Sequence, residues 1–300
     1  MTDANAGHST ITFLSDYGAA DEFVGVVKSV LRQLTPDTVV IDLTHDIAPF
    51  DVRGASLALA RSIQYLTPGV ILAVVDPGVG TQRRPVAVEV LGGKAVLVGP
   101  DNGLLAAAAS MIGGADRAVV LDDPEYHLES VGSTFDGRDV FAPVAAHLCN
   151  GVALLDLGTE IDPLTLLPGL LPVAREEEGH LVTEVLWVDR FGNCQLNVDL
   201  DDIARFGDRI EYRISGRRRT ASIVTSFAAV GVGDIGIMAD ANGLCALVAD
   251  QSSAAEELDL GAGDQVILAE ASGPGGVSTV VTLGRSEPPR NGSPQNGVTS

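Results

Sequence analysis

Apolar and polar positions along this chain follow two different rhythms. In the first, short apolar runs alternate with segments that are apolar at every third or fourth position. Ser9–Phe13, Thr38–Leu43 and Val70–Val75 read as strands, and the last is apolar throughout, as suits a strand covered on both faces. Between them, Phe23, Val26, Val27, Val30, Leu31 and Leu34 fall at helical spacing after Asp21. Leu57, Leu59, Ile63 and Leu66 belong to a helix that Asp51 is suited to cap. Val86–Val90 and Ala95–Val98 flank Gly92-Gly93 and predict a hairpin. An Ala-rich helix, a strand over Arg117–Leu121 and a helix over Phe141–Cys149 follow. This alternation predicts an α/β layered domain with a mostly parallel sheet.

From His180 the rhythm changes. Leu181–Val188, Cys194–Val198, Arg209–Ile214, Thr220–Thr225, Gly236–Ala239, Leu244–Ala249 and Gln265–Leu268 are short strand candidates separated by turns, the pattern of an all-β barrel or sandwich. Ala254–Leu258 is long enough only for a helical turn. Pro163, Pro168 and Pro172 break the stretch ahead of this region, and the charged Arg175-Glu176-Glu177-Glu178-Gly179 marks the boundary. The organisation predicted is an N-terminal α/β domain over 10–174 and a C-terminal β-barrel domain over 180–283. The segments 1–9 and 284–300, poor in apolar residues, are predicted to be disordered.

Composition narrows the function. The 300 residues carry a formal net charge of -21, which argues against nucleic acid or an anionic membrane as a general partner and suits a cationic small substrate. Cys149, Cys194 and Cys245 lie far apart without CxxC spacing, as free thiols in a reducing compartment do. No signal peptide opens the chain and no apolar run approaches the ~20 residues of a membrane span, so a cytoplasmic location is expected. The five histidines form no HxxxH or HxH pair, and no metal site is predicted. Gly78-Val79-Gly80 lacks the remainder of a dinucleotide fingerprint, and there is no Walker A lysine motif and no GxSxG elbow.

Candidate chemistry gathers where first-domain strands stop. Asp16-Tyr17-Gly18, Thr44-His45-Asp46, Asp76-Pro77-Gly78 and Pro100-Asp101-Asn102-Gly103 each end a strand. In a parallel sheet such turns share one edge and converge on one crevice, although single loop aspartates also cap helices and make Asx turns. Asp76 closes the fully apolar strand, and Arg83 and Arg84 follow one short loop later. In the second domain, Asp189-Arg190-Phe191-Gly192-Asn193 ends a strand. Phe191 offers a face to a flat base and the Asn193 amide both donates and accepts, while Gly-Asn also suits an ordinary hairpin turn.

Taken together, Phe13-Leu14-Ser15-Asp16-Tyr17-Gly18, Thr44-His45-Asp46-Ile47, Val75-Asp76-Pro77-Gly78-Val79-Gly80-Thr81, Gly99-Pro100-Asp101-Asn102-Gly103-Leu104, Ser133-Thr134-Phe135-Asp136-Gly137-Arg138-Asp139 and Asp189-Arg190-Phe191-Gly192-Asn193 resemble the S-adenosyl-L-methionine (SAM) hydrolases, or SAM hydroxide adenosyltransferases, relatives of the SAM-dependent fluorinase and chlorinase. The resemblance runs in order from about residue 10 to 270. It implies a homotrimer with sites between subunits, and cleavage of SAM by water to adenosine and methionine without a cofactor. It implies that Asp16 binds the ribose hydroxyls, that Asp21 and Asp189 hold the methionine ammonium, and that Phe191 and Asn193 bind adenine. Phe50 matches an aromatic near the ribose, and Asn242 lies in the loop matching the methionine carboxylate site.

The family's water-holding set is Asp-Arg-His. Asp76 and Arg83 match the first two, but Asp136 stands where the family motif Ser-Thr-Phe-His-Gly-Arg-Asp has histidine. Three outcomes follow: Asp136 takes the role, His127 reaches in from the preceding loop, or activity is weakened. The first predicts an Asp76–Arg83–Asp136 water clamp, with Arg83 between two carboxylates that would otherwise repel. Two alternatives accompany hydrolysis. One is chloride transfer, for which Gly137 leaves room; the other is a catalytically weak SAM- or adenosine-binding protein.

Overall fold

The computed structural model describes residues 7–271. Of the segments predicted to be disordered, 1–9 and 284–300, residues 1–6 and the whole of 284–300 lie outside the described residues, as does the end of the predicted barrel domain. Two compact units divide the chain, Met1–Val173 and Ala174–Ser300.

The first unit is built on a seven-stranded sheet. Its elements are β1 (Thr10–Ser15), α1 (Phe23–Leu34), β2 (Val39–Thr44), α2 (Val52–Ser62), β3 (Val70–Val74), β4 (Pro85–Val90), β5 (Ala95–Pro100), α3 (Ala106–Met111), β6 (Ala115–Val120), α4 (Ala142–Cys149) and β7 (Thr159–Ile161). The strand order is β2-β1-β3-β5-β4-β6-β7. β2, β1, β3 and β5 run parallel, so Thr44, Ser15, Val74 and Pro100 all end at one edge. The predicted α/β layering holds, with a sheet that is mixed. The Gly92-Gly93 hairpin sends β4 back antiparallel to β5, and β6 and β7 continue in that sense.

Strand alternation sorts the core into two layers. Leu72 and Val74 of β3 face one side, packed with Val27 and Leu31 of α1 and Val144, Ala145 and Leu148 of α4. Ile71 and Ala73 face the other, with Ala55 and Leu59 of α2 and Ala108 of α3. Asp51 caps α2 as predicted, its Oδ1 accepting from the Gly54 amide at 2.8 Å. The helix predicted from Phe141 starts one residue later and is entered through a π-helical turn, Gly137–Phe141.

The second unit comprises β8 (Arg175–Glu177), β9 (His180–Val188), β10 (Cys194–Asp199), α5 (Leu200–Ile203), β11 (Arg209–Ile214), β12 (Arg217–Ile223), β13 (Gly236–Ala239), β14 (Leu244–Val248), α6 (Ala254–Leu258) and β15 (Gln265–Glu270). Strands β10-β14-β13-β12-β11-β15-β9 close into a barrel through the β9–β10 pairing, around Val185, Leu196, Ile210, Tyr212, Leu247 and Leu268. The charged stretch after Val173 is no linker: Arg175–Glu177 pairs with His180–Val182 as a short flanking strand. Among the described residues no helix is long and apolar enough to cross a membrane.

Candidate active site

The mouth of β3 holds a buried ion cluster. After Val75 the chain turns through Pro77–Thr81, where the Val79 amide donates to the Asp76 carbonyl at 3.2 Å and the Thr81 hydroxyl to the Gly78 carbonyl at 2.6 Å. This tight return carries Arg83 back to Asp76. Arg83 Nε donates to Asp76 Oδ1 at 3.0 Å, and Nη2 donates to Asp76 Oδ2 and, at 2.6 Å, to Asp136 Oδ2. Asp136 enters from the residue that opens the π-helical turn. The guanidinium lies 5.3 Å from the ring centre of Phe141. Side-chain exposure is 7% for both Asp76 and Arg83 and 20% for Asp136, so these are buried ion pairs and not the surface kind that contributes little. Burial raises the Asp76 carboxyl above its ordinary value and Asp136 pushes it the same way, while Arg83 opposes both.

Tyr17, which follows Asp16, roofs this cluster. Its ring packs against Phe13, Phe23 and Phe135. Burial raises the phenol pKa most, then Asp16, Asp76 and Asp136, against the influence of Arg83. The hydroxyl lies where a side chain at Gly137 would start, 2.1 Å from an ideal Cβ. The room that the sequence places at Gly137 is therefore taken by Tyr17. Nothing in the residue types signalled this contact, because the two residues meet only through the fold.

Other predicted residues have mixed placements. Asp16, at the end of β1, accepts from the Phe50 amide at 2.9 Å. It is thus the backbone of Phe50, held at φ 68°, that meets Asp16, while the ring is 72% exposed. Asp21 lies in the exposed turn ahead of α1, outside the ion cluster. His45 is tied to Ser15 (2.8 Å) and Asp42 (3.2 Å), and Asp101 is buried, accepting from Arg84 and from the Leu167 amide at 2.8 Å. Asn102 donates to the Val75 carbonyl at 2.9 Å. These last strand-end groups are tied into bonds that hold the strand ends together. His127 lines an open cleft of about 400 Å³ with Asp136, Asp139 and Ser133.

In the second unit, Asp189 organises one turn. Its Oδ1 accepts from the amides of Phe191 and Asn193, both at 2.9 Å, and its Oδ2 from Asn193 Nδ2 at 2.7 Å. Phe191 is left 77% exposed. Gly192, at φ 83°, sits on Ser253, whose Oγ would be 2.1 Å from an added Cβ. Asn242 is exposed, in a loop held by Asp240, which accepts from the Asn242 amide at 2.7 Å and from Gln195. Cys149, Cys194 and Cys245 are buried free thiols. Among the described residues no group of His, Cys, Asp or Glu is placed to hold a metal ion.

Comparison with known proteins bears on the whole chain. The model of the SAM hydroxide adenosyltransferase N-terminal domain matches residues 11–158, and that of the C-terminal domain matches 183–267. A Salinispora tropica protein named (R)-S-adenosyl-L-methionine hydrolase is 42% identical over 85% of this chain and 96% of its own. A Thermus thermophilus protein of the same name is 38% identical over 86% and 98%. A fluorinase from an Actinoplanes species is more distant, at 24% identity over 88% and 99%. The crystal structure of an uncharacterized conserved protein from Thermotoga maritima superposes with a TM-score of 0.79 at 31% identity, covering 86% of this chain and 99% of that one. With both of its units matched, in order, by the two halves of one family, the chain belongs to the SAM hydroxide adenosyltransferases.

Proposed function

We propose that the protein hydrolyses SAM to adenosine and L-methionine by attack of water at C5′. The observation that carries this reading is the buried Asp76–Arg83–Asp136 cluster at the β3 mouth. The sulfonium leaves as a neutral thioether, so the reaction needs no acid on the leaving group and no cofactor. It needs a water held in line with the C5′–S bond, and positioning of this kind supplies a large part of a rate enhancement. Asp76, held above its ordinary carboxylate value, is suited to orient that water and draw on its proton, a contribution of about 10²–10⁴-fold. Arg83 keeps the two carboxylates apart in charge and fixed in place.

Binding roles follow the resemblance: Asp16 with Phe50 at the ribose, Asp21 and Asp189 at the methionine ammonium, Phe191 and Asn193 at adenine, and Asn242 at the methionine carboxylate. The exposed face of Phe191 beside the rigid Asp189–Asn193 turn supports the adenine assignment. A homotrimer with sites at subunit interfaces, in the cytoplasm, completes the proposal, and sedimentation analysis tests its stoichiometry.

Chloride is a poor nucleophile for this site. It would face two carboxylates, and the hydroxyl of Tyr17 occupies the space at Gly137. Chromatography of SAM incubated with the purified protein in chloride buffer tests the proposal. Adenosine and methionine are expected. 5′-Chloro-5′-deoxyadenosine would establish the halide reaction instead, and bound, uncleaved SAM a binding protein.

A further inference from the structure

A water that attacks C5′ from the ion cluster has two hydrogens and two lone pairs to place. The hydrogens suit the two carboxylates, Asp76 and Asp136, and the Oδ1 of Asp136 takes no hydrogen bond from a described residue. One lone pair goes to carbon. The other needs a donor, because a water held only by its hydrogens can turn about them and lose its aim. Arg83 does not supply that donor. Its Nε is spent on Asp76, its Nη2 is shared between Asp76 and Asp136, and its Nη1 is closed off from solvent without a hydrogen-bond partner among the described residues. Nearby, Arg138 is held by Asp139 at 2.6 and 2.9 Å, and the Thr81 hydroxyl by the Gly78 carbonyl at 2.6 Å.

Tyr17 is placed differently. Its side chain spans residue 136: the ring meets Phe135 edge-on at 5.7 Å, and the hydroxyl lies against Gly137. Phe13 at 6.4 Å and Phe23 at 5.7 Å hold the ring from its other sides. The backbone is pinned as well. Tyr17 N–H donates to Ser15 Oγ at 3.3 Å, Ser15 Oγ is held by His45 Nδ1 at 2.8 Å, and Gly18 N–H donates to the His45 carbonyl at 2.8 Å. The hydroxyl makes no hydrogen bond to a described residue and, unlike Arg83 Nη1, is not closed off from solvent. Burial, Asp16, Asp76 and Asp136 raise the phenol above its ordinary value against the influence of Arg83, so it keeps its proton to donate.

We propose that Tyr17 is a further catalytic residue of this reaction, its hydroxyl donating to the attacking water and aiming the free lone pair at C5′. The proposal rests on the hydrolysis reading and deepens it. Water oxygen bonds to C5′ as the C5′–S electron pair leaves with sulfur. The released proton goes to Asp76 and reaches solvent when the products leave and open the site. Tyr17 donates throughout and transfers no proton.

Two variants test this. Tyr17→Phe keeps the ring and removes the donor. Its kcat for adenosine formation is expected to fall about tenfold or more, with KM for SAM within about threefold of native and an undiminished melting temperature, the mark of an interaction made in the transition state. The second variant carries 3,5-difluorotyrosine in place of Tyr17 alone, a phenol of nearly the same shape that ionises more easily. Its kcat should fall on a basic limb that coincides with the rise of phenolate absorbance, while the native protein shows no limb in that range. Tyr17→Phe with kcat within about threefold of native, or with kcat lost only alongside KM or melting temperature, overturns the proposal. So does a fluorinated phenol that ionises without changing kcat. A native protein that forms no adenosine from SAM would instead overturn the hydrolase reading, and with it this role of Tyr17.

Discussion

Replacing Arg83 with methionine removes the one cation between Asp76 and Asp136 while keeping most of the buried volume. Two charge-assisted bonds to Asp76 and one to Asp136 are lost. Asp76 is then left in a site where its side chain is 7% exposed. Breaking a buried pair by removing one partner costs about 3–5 kcal/mol, against about 0–1 kcal/mol for a surface pair. The cost is pH-dependent, and its sign is fixed by Asp76. Its carboxyl is already above the ordinary value with Arg83 present, and loss of the guanidinium raises it further. A carboxyl raised on folding adds stability below its unfolded value of about 3.9 and loses that contribution as pH rises through the folded value. The deficit of Arg83→Met is thus greatest near pH 8 and shrinks as the pH falls towards about 4. Native-state hydrogen exchange of the β3 amides at several pH values reads this locally. A deficit below about 1 kcal/mol that does not change with pH would refute the buried clamp.

Asp76→Asn should lower adenosine formation by about 10²–10⁴-fold in a chromatographic assay. Gly137→Ala should destabilise the first unit by about 1–3 kcal/mol through its contact with the Tyr17 hydroxyl, and Tyr17→Phe in the same chain should recover part of that loss in a double-mutant cycle of urea unfolding. Gly192→Ala places a Cβ on Ser253 at a positive φ and should cost about 2–4 kcal/mol in thermal melts followed at Trp187. Burial pushes the thiols up to about 11 for Cys149 and about 12 for Cys194 and Cys245, so a disulfide reagent at pH 8 should titrate none in the native protein and all three after denaturation.

Much of the site's frame is legible in the residues because it is local. The apolar run of β3, its abrupt stop at Asp76 and the glycine-rich return to Arg83 lie within one short stretch, and the bond across that return spans seven positions. Asp136 lies 53 positions from Arg83, and its place beside it follows only from the linked motifs. The contact of Tyr17 with Gly137 depends on packing and leaves no local pattern. Sheet direction was only half readable. Helical crossovers impose parallel pairing on β1, β2 and β3, while β5 comes to lie parallel to β3 by way of β4, with which it forms the Gly92-Gly93 hairpin. β7 is three residues long, too short to show a period, and the π-helical turn lies ahead of the helix that the sequence predicts from Phe141. Charge alone made Arg175–Glu177 look like a connector, where hydrogen bonding to β9 makes it a strand.

That short charged strand has a consequence for how the protein behaves in crowded solution. Closing the barrel leaves its seven strands without an open ladder, and β8 is left carrying an outer edge. Open edges invite the same edge of another molecule, which is how stacked sheets grow. Here the invitation is weak: three residues give few hydrogen bonds, and Arg175, Glu176 and Glu177 are all exposed, so docking a neighbour would strip water from each of them. Rewritten as Val-Thr-Val, the same strand would still pair with β9, but molecules could begin to add to one another along it.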